Sequence, residues 1–372
     1  MSWRTCRLGD VLTLKRGHDL PEHSRQDGDI PVVSSSGITG RHKEAKATAP
    51  GVVTGRYGTI GQVFYLEEDY WPLNTALYVI DFKGNDPRFS AYFLRNVLKG
   101  YQSEKAAVPG VDRNVLHEIK VRAPSHSLQL RIADILSAYD DLIENNRRRM
   151  ALLEESARLL YREWFVRLRF PGYEHTPIVD GVPQGWEQKT LGDLCSEIRD
   201  MVLPEALESD TPYIGLEHIP RRSISLNEWG TVEEVTSSKS RFKAGEIIFG
   251  KIRPYFHKVG VAFVDGVASS DSIVVRPADD TLHGLVLMTM SSDEFVATTA
   301  QQMKEGSKMP RADWKQMKAY PVPLPPSGLL SNFDGVIQPI LKQLKSISFT
   351  NQKLRNARDL LLPRLMSGEL AV

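Results

Sequence analysis

The run GEIIFGKI, Gly245 to Ile252, comes closer than any other stretch of this chain to a nucleotide-binding loop. Gly245, Gly250 and Lys251 stand where a G-x-x-x-x-G-K-[ST] phosphate cradle needs them, but Ile252 replaces the hydroxyl that would hold magnesium. The intervening EIIF is an apolar strand run rather than a flexible loop. A second stretch, GRYGTIGQVFY, spaces Gly55, Gly58 and Gly61 as G-x-x-G-x-x-G, which is not the dinucleotide fingerprint. Neither supports an NTPase. HExxH, GxSxG and DFG motifs are absent, and so is the Asn- or Asp-Pro-Pro-aromatic segment of a base methyltransferase. The nine histidines are scattered, and Cys6 and Cys195 lie far apart without a CxxC. No metal site is expected, and both thiols should be buried and reduced. No catalytic residue can be assigned.

A recognition chemistry is better supplied. Arg41, Lys43 and Lys46 crowd one segment, and Arg56 and Tyr57 follow in GRYG. Further on, GKIRPYFHK gathers Lys251, Arg253, Tyr255, His257 and Lys258. Two loops add Lys105, Arg113 and Asn114, and then Lys304, Lys308, Arg311 and Lys315. Basic side chains interleaved with aromatics and glycines suit phosphate contacts and the reading of base edges in duplex DNA.

These residues sit in a chain that repeats itself. Trp3, Leu8, Gly9 and Asp10 recur 183 positions later as Trp186, Leu191, Gly192 and Asp193. Pro124 and Pro325 are 201 apart, as are LEESARLL from Leu153 and LRNARDLL from Leu354. Each copy opens with Gly-, Pro- and β-branched-rich sequence carrying short strand runs such as GQVFYL, TALYVI and SIVVRP. Each closes with a long amphipathic stretch.

In the first of these stretches Ile135, Tyr139, Leu142, Met150, Leu153, Trp164 and Phe165 belong to an apolar face whose residues fall mostly at three- and four-residue steps. In the second, Ile340, Leu344, Leu354 and Leu361 belong to such a face. About 40 residues at 1.5 Å each make a rod of roughly 60 Å. Ser125 or Ser127 can cap the first rod, and Pro171 should stop it. Pro339 should kink or restart the second. Such stripes need a partner face, and the other rod, packed antiparallel, supplies one.

The expected organisation is α+β: mixed α/β domains at 1–124 and 186–325, rods at 125–170 and 326–372, and a linker at 171–185. The rods would form an antiparallel coiled coil, with the two domains related by a pseudo-twofold axis. Lys and Arg total 47 against 46 Asp and Glu, and no segment is a basic tail, so a nucleic-acid surface must be a folded patch. With no apolar leader or spanning run, the chain is expected to be soluble and cytoplasmic.

At this point the chain resembles the specificity (S) subunit of type I restriction–modification systems. The resemblance spans nearly all 372 residues. It is carried by IPVVSSSGITG, GRYGTIGQVFY and WPLNTALYVI in the first copy. TPYIGLEHI, KAGEIIFGKIRPY, SSDSIVVRP and RDLLLPRLMSGEL carry it in the second, with VDGVPQGWE between. The resemblance implies two target-recognition domains, each reading one half of a split, asymmetric DNA sequence. It implies helices that set the distance between the halves and dock two methylation subunits. A restriction/translocase subunit would join the larger assembly. No cofactor would be bound by this chain, because S-adenosylmethionine, ATP and Mg would be used by the partner subunits. A rival reading is a subunit of the same build serving another DNA-modifying assembly.

Overall fold

The computed structural model describes residues 3–57, 61–99, 110–232, 237–301 and 310–372. The chain divides into two compact units: Met1–Glu144 with Lys353–Val372, and Asn145–Gln352.

The first unit is built on a four-stranded antiparallel sheet. Its order is Thr13–Arg16, Ala76–Asp81, Gly51–Gly55, Val63–Leu66. Val52, Val53, Leu77, Tyr78 and Val79 fill its middle strands and are buried, as residues suited to a pleated sheet covered on both faces should be. A helix, Pro87–Leu98, lies against it, started by Pro87 and by Asp86, whose carboxylate accepts the Phe89 N–H at 2.7 Å. A three-stranded sheet (Gly37–His42, Ile30–Ser34, Trp71–Pro72) completes the unit.

The second unit repeats the order with one more strand: Cys195–Ile198, Ser272–Pro277, Ile247–Gly250, Val259–Ala262, Ser225–Leu226. Ile247–Gly250 is thus a buried central strand, and the glycine-lysine run is no open cradle.

The repeated Leu-Gly-Asp has a physical cause in each unit. Leu8 and Leu191 are fully buried, and their N–H groups donate to Ile119 O (2.9 Å) and Tyr320 O (2.8 Å). Asp10 accepts the Arg7 N–H at 2.9 Å and Asp193 the Thr190 N–H at 2.7 Å, satisfying the donors that open the turn. A β-carbon at Gly9 would stand 3.1 Å from His117 Cβ, and one at Gly192 would stand 3.1 Å from Lys318 Cβ. Glycine lets the chain pass this close without displacing either neighbour. The strand that leads into this turn pairs with the last strand of each unit: Trp3 opposite Pro124, Glu187 opposite Leu324.

The two long helices run His126–Tyr161 and Ser327–Ser367. Within the second unit they pack antiparallel. The Asn146 amide donates to Asn351 Oδ1 at 2.8 Å, the Arg149 guanidinium to Gln343 Oε1 at 2.9 Å, and Phe165 meets Phe333 edge-on at 4.8 Å. Within the first unit, Leu128, Ile132 and Leu136 share a core with Leu362, Leu365 and Met366, and Arg358 pairs with Asp140.

Two expectations about the ends and breaks differ. The first helix closes through a π turn, Arg162–Val166, and Leu168 at φ 57 leaves the helical path before Pro171 is reached. The second helix is continuous across Pro339, so it is not restarted there. The carbonyl that Pro339 deprives of a donor belongs to Gly335, which is exposed, so water can satisfy it. The linker holds a hairpin, Ile178–Val179 against Val182–Pro183, turned by Asp180 (φ 50) and Gly181 (φ 82). Cys195 is buried, its thiol pushed up to about 12 by desolvation, whereas Cys6 is only half-buried. Among the described residues no helix is long and apolar enough to cross a membrane.

Candidate nucleic-acid interface

In the first unit the chain leaves the central strand Gly51–Gly55 at Arg56 and Tyr57, and there it meets the segment from Gly110 onward. Tyr57 bridges Gly110, and the Val111 N–H donates to Arg56 O at 2.9 Å. The second unit does the same: Ile252 bridges Arg311, and the Ala312 N–H donates to Lys251 O at 2.9 Å. Asp112 and Asp313, 201 positions apart, then open short helices by accepting the N–H groups of Asn114 (2.8 Å) and Lys315 (3.0 Å). The two distant basic segments of each copy are therefore brought together by one repeated backbone junction.

Around the first junction lies an open cleft of about 500 Å³ lined by Arg16, Arg56, Tyr57 and Arg113. The Arg56 guanidinium lies 4.7 Å from the centre of the Tyr57 ring, which is 44% exposed. Such stacking holds the fork of N–H donors in one plane. Arg16 was not singled out from the sequence, because it stands in an ordinary-looking strand. Its register opposite Leu77 places it here.

Elsewhere in this unit the basic residues are spread out. Arg41 donates to Asp29 O, Lys43 stands 4.0 Å from Glu44, and the Lys46 ammonium sits 5.0 Å over Trp71. All three side chains are exposed. Lys105, Lys304 and Lys308 lie outside the described residues.

At the second junction Lys251 donates to Ser270 O at 3.2 Å, and Arg311 pairs with Asp271 at 3.0 Å. Arg253 and Tyr255 are exposed. His257 is buried instead: one ring nitrogen lies 2.8 Å from Ser291 O and the other 3.5 Å from Asp293. Burial holds its pKa below the usual histidine range. Lys258 is half-buried with its ammonium on Leu216 O. Desolvation and, next, the Arg221 charge pull its pKa down. Arg221 is a further residue the sequence did not mark, since Phe256, which it covers at 4.0 Å, lies 35 positions away.

The helix residues expected to meet partners are mostly turned inward. Met150, Trp164, Phe165, Ile340 and Leu344 belong to the core of the second unit, and Leu153 packs against it. Ile135 and Leu361 pack on the core of the first, while Tyr139 and Leu354 are half-buried. Leu142 is exposed, as are Leu152, Leu159, Val336 and Leu360.

The family model described as type I restriction modification DNA specificity domain matches residues 1–155 and 183–357, one match on each copy of the repeat. The chain belongs to this family. It is 24% identical over 288 residues to the type I restriction enzyme MjaIX specificity subunit of Methanocaldococcus jannaschii, covering 71% of this chain and 63% of that one. The match thus spans a little under two thirds of that relative. It is 22% identical over 353 residues to the EcoDI specificity subunit of Escherichia coli, covering 88% and 78%. Its fold is similar to the crystal structure of a type I restriction–modification S subunit from M. genitalium, with a TM-score of 0.60 at 15% identity over 98% of this chain and 96% of that one. The α+β build of two sheet domains joined to long helices is the fold of these specificity subunits.

Proposed function

We propose that this chain is the non-catalytic, sequence-specific DNA-binding subunit of a type I restriction–modification complex. It reads a bipartite, asymmetric duplex target, one half per unit. The observation that carries this reading is the repeated junction, which presents Arg56, Tyr57 and Arg113 in one unit and Lys251, Arg253 and Arg311 in the other. The same scaffold with different side chains suits two different half-sites. Each helix, roughly 60 Å at 1.5 Å per residue, is commensurate with about two turns of B-DNA and acts as the ruler between the halves.

Two methylation subunits would dock on the helices. Leu159 and Leu360, equivalent positions 201 apart, are 45% and 70% exposed, so the same apolar side chain is offered once per copy, as two identical partners require. The partners would use S-adenosylmethionine, and the restriction/translocase subunit ATP and Mg.

Removing one helical turn from both rods tests the ruler. Mapping of methylated sites should show a changed gap between unchanged half-sites. Altered half-sites with an unchanged gap would refute it.

A further inference from the structure

Six non-glycine residues have positive φ among the described residues, and three of them meet in one place. Arg253 (φ 50) and His257 (φ 54) flank the turn Pro254–Phe256, and Arg222 (φ 56) donates its N–H to His257 O at 2.9 Å. Left-handed backbone is unfavourable for residues bearing a β-carbon, and it persists where the surroundings impose it, often at functional sites. Here the strained turn brings Phe256 near two guanidiniums. Arg221 lies 4.0 Å from the ring centre and Arg253 5.9 Å. Tyr255, 53% exposed, stands edge-on to Phe256 at 5.0 Å.

The surrounding charges separate these two arginines from their neighbours. Arg222 is paired with Asp293 at 2.8 Å, and Lys258 is spent on Leu216 O. No described carboxylate pairs with Arg221 or Arg253, and both are exposed. Among the described residues the turn therefore offers two forks of N–H donors without a carboxylate partner beside the second junction, that of Arg221 stacked on the ring. A phosphate accepts such a fork too, but a phosphate contact carries no sequence information, so selection on random DNA tells the two apart. A fork held in one plane matches the O6 and N7 acceptors that guanine shows in the major groove.

We propose that Arg221, stacked on Phe256 near Arg253, is a specificity-determining residue of the second unit and reads a guanine in that unit's half of the target. This rests on the DNA-reading function proposed above and adds a residue and a base to it. The test is selection of the full chain, wild type and with Arg221→Lys or Arg221→Ala, on a randomised duplex library, with a salt titration on the selected sequence. The wild type should enrich a two-part motif with a conserved guanine in one half. Both variants should lose that guanine preference by about 10- to 100-fold at one position, with the other half unchanged. Arg221→Lys keeps the charge and removes the fork, so it separates reading from attraction.

An unchanged motif with uniformly weaker binding, and a salt slope shallower by about one, would make Arg221 a phosphate contact and overturn the assignment. An unchanged motif at unchanged affinity would overturn it as well. A wild-type chain that enriches no sequence would refute the DNA reading itself, and the guanine with it.

Discussion

Glu154→Ala should destabilise the second unit out of proportion to the size of the change. Glu154 is 5% exposed on the first long helix. Its carboxylate accepts the Ser223 hydroxyl at 2.8 Å, the Ser225 hydroxyl at 2.6 Å and the Arg158 guanidinium at 3.1 Å. Arg158 keeps a second carboxylate, Glu155 at 3.5 Å, so truncation does not strand its charge. The Ser225 hydroxyl has no such reserve, because that residue is fully buried. A buried hydroxyl left without a partner costs about 1–3 kcal/mol, and the loss of charge-assisted bonds adds a similar amount. The sum is roughly 2–6 kcal/mol. Glu154→Gln retains an acceptor oxygen and should cost about half as much. Urea unfolding measures this as a lower midpoint at unchanged slope. A midpoint for Glu154→Ala within about 0.5 kcal/mol of wild type, at the same slope, would refute the claim that this carboxylate ties the helix to the Ser223–Ser225 segment.

Other consequences follow from single contacts. Gly9→Ala and Gly192→Ala should each destabilise by about 1–3 kcal/mol, because the added methyl meets a β-carbon 3.1 Å away. Gly335→Ala, in open space on a helix, should stabilise by about 0.5–1 kcal/mol in the same urea unfolding. His257 is kept neutral by burial, so its folded pKa lies below its unfolded value of about 6.5. Its contribution to stability is full above pH 6.5 and declines as pH falls below it, since only the unfolded chain then takes up the proton. Stability measured from pH 7.5 to 5.5 should fall less in His257→Gln than in wild type. Arg56→Ala and Lys251→Ala should weaken duplex binding without lowering the melting temperature. Where either side chain meets a phosphate, the salt slope should become shallower by about 0.9.

The fold was legible where its cause is local. Leu-Gly-Asp recurs because a buried leucine, a close backbone approach and a capping carboxylate occupy consecutive positions. The helical stripes recur because each rod buries one face. Pro171 misled because a helix also ends where a residue such as Leu168 turns left-handed, and Pro339 does not restart its helix because the orphaned carbonyl faces water. The candidate interface was legible only in part. Arg56 and Lys251 announce themselves among glycines and aromatics. Arg16 and Arg221 reach the same surfaces through strand register and a ring 35 positions distant, which no local pattern records. His257 reads as surface chemistry in GKIRPYFHK, yet the left-handed turn drives it inward onto Ser291. The helix leucines are ambiguous for a related reason: periodicity finds the apolar face but does not say whether the other rod or a partner covers it.

The central claim is that one chain reads two different half-sites at a fixed separation. Sequencing the methylated positions of a host genome that expresses this chain with its methylation partners tests it most directly. The account predicts a single asymmetric motif of two specified parts around an unspecified gap of constant length. A continuous motif, two identical halves, or gaps of varying length would contradict it.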